Sequence, residues 1–383
     1  MTRRVVLVTE IISPYRIPLF NALARQPEID LHVIFLSETD PSLRQWQIYK
    51  NEIRFSYEVL PSWRRRVGNY NLLINRGMVH ALKAGVPKVM VCGGYSYLAS
   101  WQSLLWSRGH QVPFFLWSES NEQDLRRRTF MVEFLKKEFL TRCSAFLVPG
   151  QSARAYLRAQ GVQDENIFTA PNAVDNDLFA AWAERARSRT EELRQELGLP
   201  ERYFLFVGRL VPEKGVFDLL DAYAKLENRL REQVGLVFAG DGACRRALEE
   251  QATKISPGTI RFAGFVQRDD LAKFYALAEA LVLPTHSDTW GLVVNEAMAC
   301  GLPAIVSSVA GCAADLVKPN WNGLLVSPQD SSSLTAAMTS LATQPDLRHD
   351  MGLNSKQHIS RYTPEIWARS VTAAINSLAS SHD

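Results

Sequence analysis

The stretch Pro284-Thr285-His286-Ser287-Asp288-Thr289-Trp290-Gly291-Leu292-Val293-Val294-Asn295-Glu296-Ala297-Met298-Ala299-Cys300-Gly301 decides how this chain is read. Before it, residues 280–283 form a short, continuously apolar run, the pattern of a strand covered on both faces. After the loop comes a helix-forming segment that Gly301-Leu302-Pro303 closes. Gly291 lets the amides of Leu292 and Val293 face outward at the helix start, which makes a ready anion site. Two carboxylates, Asp288 and Glu296, stand across that loop. A capping box would explain Glu296 only with Ser, Thr, Asp or Asn three residues earlier, and Val293 is there. A carboxylate beside an anion site is repelled unless it faces hydroxyls, and a ribose diol supplies two.

The same strand-then-helix order extends outward in both directions. Residues 5–9, 31–36, 89–92, 114–117 and 145–148 read as strands, with amphipathic helical stretches such as 98–108 and 125–142 between them. A second set begins at 203–207 and continues through 236–239, 260–263, 280–283 and 304–307. With 383 residues the chain exceeds one default core. The expected fold is α/β, with two tandem Rossmann-like doubly wound domains facing a central cleft. Their boundaries are expected at 1–175 and 176–361, joined near Pro171-Asn172-Ala173-Val174-Asp175. A charged helical stretch, 183–197, leads into the second domain, and a terminal helix at 364–378 lies within the last piece, 362–383, expected to pack back on the first domain.

Composition narrows the class. Apolar residues make up 46% and charged residues 22%, which excludes a disordered or fibrous chain. No apolar stretch is long enough for a membrane span, and Thr9-Glu10 ends the first apolar run too early for a signal peptide. Five cysteines without a CxxC pair fit a reduced, cytoplasmic chain and give no metal signature. The net charge of +3 is unevenly placed: residues 1–175 hold 22 Lys and Arg against 15 Asp and Glu, and the rest 21 against 25. That bias fits either an anionic partner or an ordinary solvated surface.

Other strand ends carry further candidates. Gly208-Arg209-Leu210-Val211-Pro212-Glu213-Lys214-Gly215 follows the strand at 203–207. Gly208 permits a sharp turn, Arg209 offers a planar fork for two phosphate oxygens, and Lys214 adds a point charge. A solvated surface turn is the plain alternative. No Ser or Thr follows a Gly-Lys pair, so a Walker loop is excluded. Gly240-Asp241-Gly242 lacks the third glycine of a dinucleotide fingerprint, because Arg245 stands there.

Taken together, these motifs resemble the retaining family-4 glycosyltransferases of the GT-B type, the glycosyl transferases group 1. That family carries a Glu-x7-Glu loop running into an EAMAxGxPV helix. Here the stretch reads Asp288-x7-Glu296 followed by Ala297-Met298-Ala299-Cys300-Gly301-Leu302-Pro303-Ala304-Ile305, with the Arg209–Lys214 loop, Gly240-Asp241-Gly242 and Gly264-Phe265-Val266 in the family's order. The resemblance implies a nucleotide sugar, UDP-linked, held mainly by the second domain. Arg209, Lys214 and the amides of Leu292 and Val293 would face its diphosphate. Glu296 would bind the ribose, Phe265 and Val266 the base, Gly208 and Gly240 would admit the ligand, and Asp288 with Thr289, Trp290 and Gly291 would contact the sugar. The family's first Glu is Asp288 here, a shorter carboxylate with the same charge. No cofactor or metal is expected.

The acceptor side is less regular. Arg16, Gly94 and Tyr95 are candidate acceptor contacts, and Glu119, where the family often has a histidine, is the candidate for positioning the acceptor hydroxyl or taking its proton. Capping by Ser118 or Ser120 is an equal reading of that turn. Asp175-Asn176-Asp177 matches a metal motif only by letter. Arg126-Arg127-Arg128 and Lys136-Lys137 interleave with Phe130, Met131, Phe134 and Leu135, which suits either a domain helix with a basic edge or a peripheral contact with an anionic membrane at its inner face. The expected partners are the nucleotide sugar and an acceptor glycan, glycolipid or small molecule, with no nucleic acid. A sugar-nucleotide epimerase and a non-catalytic partner subunit of the same fold remain open alternatives.

Overall fold

Val5, Val6, Leu7 and Val8 are all buried, which sets Arg3–Thr9 (β1) at the centre of a parallel sheet. The computed structural model describes residues 2–40, 45–67, 70–122, 130–255 and 258–379. The remaining strands of the first unit are Ile29–Phe35 (β2), Ser56–Val59 (β3), Ser62–Val67 (β4), Tyr70–Asn75 (β5), Val89–Gly93 (β6), Phe114–Trp117 (β7), Ala145–Val148 (β8) and Ile167–Thr169 (β9). Seven of them form one sheet in the order β3-β2-β1-β6-β7-β8-β9, while β4 and β5 pair separately as an antiparallel hairpin. Val5 stands opposite Leu31 on one side and Val89 on the other, so the direction of strand order reverses at β1.

The second unit repeats the plan with Tyr203–Val207 (β10), Gly235–Ala239 (β11), Ile260–Gly264 (β12), Ala280–Leu283 (β13), Ala304–Ser307 (β14) and Gly323–Val326 (β15). Their order is β12-β11-β10-β13-β14-β15, the Rossmann order. Within β10, Leu205 enters one core and Phe204 and Phe206 the other. Burial on both faces is why these strands read as unbroken apolar runs rather than alternating ones. Ligands of such sheets bind at the carboxyl ends of the strands where the order reverses. In this unit that point lies between β10 and β13, the two strands followed by the motifs 208–215 and 284–301.

The first unit comprises residues up to Asn172 together with the helix Pro364–Ala379, and the second runs from Ala173 to Thr363. The terminal helix packs on the helix Ile17–Ala24. Trp367 is fully buried there, with its ring 6.1 Å from Phe20 and 5.3 Å from Trp117.

Two expectations change. The stretch 183–197 is not one helix but the end of Asn176–Arg187 followed by Thr190–Leu197. Asp175 caps the first of these, its Oδ1 accepting from the Leu178 amide at 3.0 Å. That bond gives the aspartate of the Asp-Asn-Asp match a capping role. The helix expected at 125–142 is described as Phe130–Leu140, and Arg126, Arg127 and Arg128 lie outside the described residues. Among the described residues no helix is long and apolar enough to cross a membrane.

Candidate functional site

In the second unit, the loops after β10 and β13 meet through one ion pair. Lys214 Nζ lies 2.5 Å from Asp288 Oδ2, with each side chain 16% exposed. The backbone fixes this meeting: the amides of His286 and Ser287 both donate to the Glu213 carbonyl, at 2.9 and 3.3 Å, and the Thr285 hydroxyl donates to it at 2.9 Å. Sequence reading gave Lys214 to the diphosphate and Asp288 to the sugar; the structure makes them partners. Arg209 is half exposed, and its guanidinium lies 3.6 Å from Glu213, a loose surface pair of little energetic weight. It is therefore free to turn toward an anion at small cost.

Gly291 adopts φ +100° at the start of the helix Leu292–Ala299, a conformation that favours glycine. Leu292 and Val293 sit in the first turn, where amides have no carbonyl of their own helix to bond. Trp290 differs from expectation. Its indole is buried and donates from Nε1 to Asn295 Oδ1 at 2.8 Å, while its amide donates to Asp288 Oδ1 at 3.2 Å and its carbonyl accepts from the Cys312 amide at 3.0 Å. Thr289 is exposed.

Glu296 is half-buried, and Tyr275 on the helix Arg268–Leu277 donates its hydroxyl to Oε2 at 2.7 Å. Burial pushes the Glu296 carboxyl up to about 7, against the opposing pull of the Tyr275 bond and the Arg268 charge. Burial, with the same carboxylate adding to it, holds the Tyr275 hydroxyl well above its ordinary range.

Gly240 closes the strand β11, and its amide donates to the Gly264 carbonyl at 2.7 Å. A Cβ placed on Gly240 would lie 1.8 Å from the Gly208 carbonyl oxygen. The two glycines thus let two strand ends touch backbone to backbone. Gly240→Ala is expected to destabilise the second unit by about 2–3 kcal/mol, read by urea unfolding. An unchanged midpoint would show that the contact relaxes freely. Beyond Gly264, Phe265 is exposed and Val266 half-buried against the core, so the phenyl face is open to a flat ring.

The first unit holds a second constellation. Arg16 pairs with Glu119 through Nη2 and donates from Nη1 to Asn172 Oδ1 at 2.8 Å. Asn172 Nδ2 in turn donates to Glu119 Oε1 at 2.8 Å, closing a three-membered ring of bonds. The guanidinium lies 4.3 Å from the centre of the Trp117 ring. The carboxylate read as the candidate for positioning the acceptor hydroxyl or taking its proton is thus engaged twice, by Arg16 and by Asn172. Gly94 turns the chain with φ +100°, whereas Tyr95 packs its ring 6.0 Å from Phe139 and is a core-edge residue.

Sequence reasoning missed Tyr275, Asn295, Asn172 and the pairing of His286 with Asp218, all of which hold the candidate residues in place. Only Asn172 carried a signal, its place in the Pro171-Asn172-Ala173-Val174-Asp175 motif. Among the described residues no three His, Cys, Asp or Glu side chains converge as a metal-binding group.

The family model for glycosyl transferases group 1 matches residues 189–358. The chain is 30% identical over 213 residues to an uncharacterized glycosyltransferase of Methanocaldococcus jannaschii, covering 55% of this chain and 52% of that one. It is 30% identical over 241 residues to the D-inositol 3-phosphate glycosyltransferase 2 of Catenulispora acidiphila, covering 58% and 55%. The chain therefore spans about half the length of the curated relatives it matches. Its fold aligns with that of HepE from Anabaena in complex with UDP and glucose, with a TM-score of 0.77 and 16% identity, over 98% of this chain and 100% of that one. The likeness to the glycosyl transferases group 1 family thus lies in residues 189–358, on a chain with the GT-B fold.

Proposed function

We propose that the chain is a retaining glycosyltransferase that moves a sugar from a UDP-sugar to an acceptor hydroxyl of a glycan, glycolipid or small molecule in glycoconjugate synthesis. The observation that carries this reading is the Lys214–Asp288 pair at the reversal point of the second sheet, beside Arg209 and the start of Leu292–Ala299. A departing nucleotide diphosphate gains negative charge as the glycosidic bond breaks. Arg209, Lys214 and the free amides of Leu292 and Val293 are fixed positive groups for that charge, so they need little reorganisation when it forms. Asp288 would contact the sugar while orienting Lys214. Glu296 would accept from the ribose diol, and Phe265 with Val266 would meet the base. The acceptor attacks from the face the diphosphate leaves, and a phosphate oxygen takes its proton, so no protein nucleophile or metal is required. Arg16, held by Glu119 and Asn172, is the proposed acceptor contact. The UDP and glucose held by HepE, which shares the fold, favour a uridine donor. Five free thiols favour a reducing compartment, and the cytoplasm is the proposed place of the reaction.

The test is nucleotide release from UDP-, GDP- and ADP-sugars by the chain and by Glu296→Ala and Arg209→Ala. Release with one nucleotide that both variants lose supports the reading. Silence with every donor, together with no thermal shift on any nucleotide, would sink it in favour of a non-catalytic partner. Release that yields an isomerised sugar without an acceptor would identify an epimerase.

Glu296 also sets an expected pH dependence. Because its carboxyl titrates near 7, the form that accepts two hydroxyl bonds is lost as the pH falls below that value. The KM for donor should rise by up to about tenfold per pH unit below 7, and Glu296→Gln should flatten that slope. Stability moves the other way. The folded chain keeps this proton between the ordinary carboxyl value of 4.5 and about 7, where the unfolded chain has released it, so unliganded stability falls as pH rises through that window. A donor KM independent of pH in the unmodified chain would exclude Glu296 from the ribose.

A further inference from the structure

The strands β10, β11 and β12 lie side by side, so the loops that follow them form one row at the carboxyl end of the second sheet. Neighbouring strands are about 4.8 Å apart, which sets the end of β12 about 10 Å from that of β10. The transfer reading, on which this rests, puts a diphosphate at Arg209 and Lys214 and the base on Phe265, and a nucleotide spans that distance. At the far end of the row stands Arg245, the first residue of the helix Arg245–Ile255. Its Nη1 lies 3.3 Å from where a Cβ on Gly264 would be, so the guanidinium rests against the backbone immediately before Phe265. Gly264 takes φ +74°, and its missing side chain leaves the guanidinium its room.

The guanidinium is braced from two sides. Glu249, one helical turn on, accepts from Nε at 2.8 Å, and Asp241 Oδ2 lies 3.5 Å from Nη1. Asp241 is itself held, its Oδ1 accepting from the Gly242 amide at 2.7 Å, and the Arg245 amide donates to the Gly242 carbonyl at 3.1 Å. Nη2 has no bonding partner among the described residues, and the side chain is 34% exposed. A guanidinium fixed along one edge aims its remaining donors with little rotamer freedom left to lose. We propose that Arg245 reads the nucleobase, donating to a ring carbonyl of a uracil that lies on the Phe265 face. Every base has a π-face, so Phe265 alone does not choose among them. A guanidinium only donates, so it bonds a carbonyl oxygen and repels amine hydrogens. Uracil has two ring carbonyls and no exocyclic amine, guanine has one of each, and adenine has the amine alone. The order of preference is therefore uracil, guanine, adenine. Arg209 and Lys214 meet groups that all three nucleotides share and set no such order.

Titration calorimetry of the full chain with UDP, GDP and ADP tests this with no sugar and no turnover, so its failure and that of the transfer reading are told apart. UDP is expected to bind at least about tenfold more tightly than ADP. Arg245→Ala should weaken UDP by about tenfold or more and leave ADP within about twofold, while Phe265→Ala should weaken both alike. Arg245→Lys keeps a charge beside Asp241 and Glu249 but not the fork, and should lose most of the preference with an unchanged melting temperature. Equal loss of UDP and ADP in Arg245→Ala would make the residue a phosphate contact or a mere brace and overturn the proposal. So would equal affinity for the two nucleotides in the unmodified chain, or no binding of either. Preferential UDP binding that Arg245→Ala abolishes, in a chain that releases nucleotide from no sugar donor, would uphold Arg245 and sink the transfer reading instead.

Discussion

Lys214→Ala is expected to lower turnover by about 100- to 1000-fold at saturating donor. Losing one preorganised positive group at a developing negative charge costs roughly 2.7–4 kcal/mol of transition-state stabilisation. The variant does more than delete a charge. Lys214 and Asp288 are each only 16% exposed, so removing the ammonium leaves a carboxylate without its cation where a diphosphate is to sit. Repulsion then adds to the lost attraction. Asp288→Asn on the Lys214→Ala background should therefore recover part of the lost turnover, and the two losses should not add. Strict additivity would show that the pair does not act as a unit, and unchanged turnover in Lys214→Ala would remove Lys214 from the diphosphate site. Steady-state kinetics on the four members of this cycle decide the matter.

Trp367→Ala should destabilise the chain by about 3–5 kcal/mol, the range for truncating a large buried ring. Trp367 is fully buried between Phe20 and Trp117, and an alanine leaves most of the indole volume empty. The effect belongs to the first unit, so in calorimetry the transition of that unit should move and the other should stay. The Trp117 ring that packs on Trp367 also lies under the Arg16 guanidinium at 4.3 Å, so the variant should raise the acceptor KM even below its melting temperature. Trp367→Phe, which keeps a ring in place, should cost less than half as much on both measures. A single unshifted transition would mean that the terminal helix contributes no core.

The strands lying inside both sheets were legible because burial on two faces leaves a signature that needs no context. Residues 114–117, 145–148, 203–207, 280–283 and 304–307 coincide with β7, β8, β10, β13 and β14. The edge strands β3 and β9 were not legible, since each is short and only partly apolar. The hairpin escaped because Trp-Arg-Arg-Arg gives no clean alternation, and its apolar residues face outward against the usual rule. Within the site, the loops after β10 and β13 followed from glycine and charge placement at strand ends. What did not follow was every contact between residues far apart in the chain: Lys214 with Asp288, Tyr275 with Glu296, Arg16 with Glu119 and Asn172. Sequence spacing fixes which face of its own element a residue occupies, and says nothing of which distant element that face meets. Trp290 shows the converse error, for an aromatic in a ligand-like loop turned out to serve the core.

The helix Pro364–Ala379 follows the second unit in sequence yet completes the core of the first. During synthesis the first unit therefore emerges with a groove where Trp367 belongs and must wait for more than half of the chain to be made. The second unit has all its strands between Tyr203 and Val326, to hand well before that point. On the ribosome the order of completion thus runs opposite to the order of translation. A nascent chain arrested just short of Pro364 should protect the second sheet from protease and leave β1, β6 and β7 open to it.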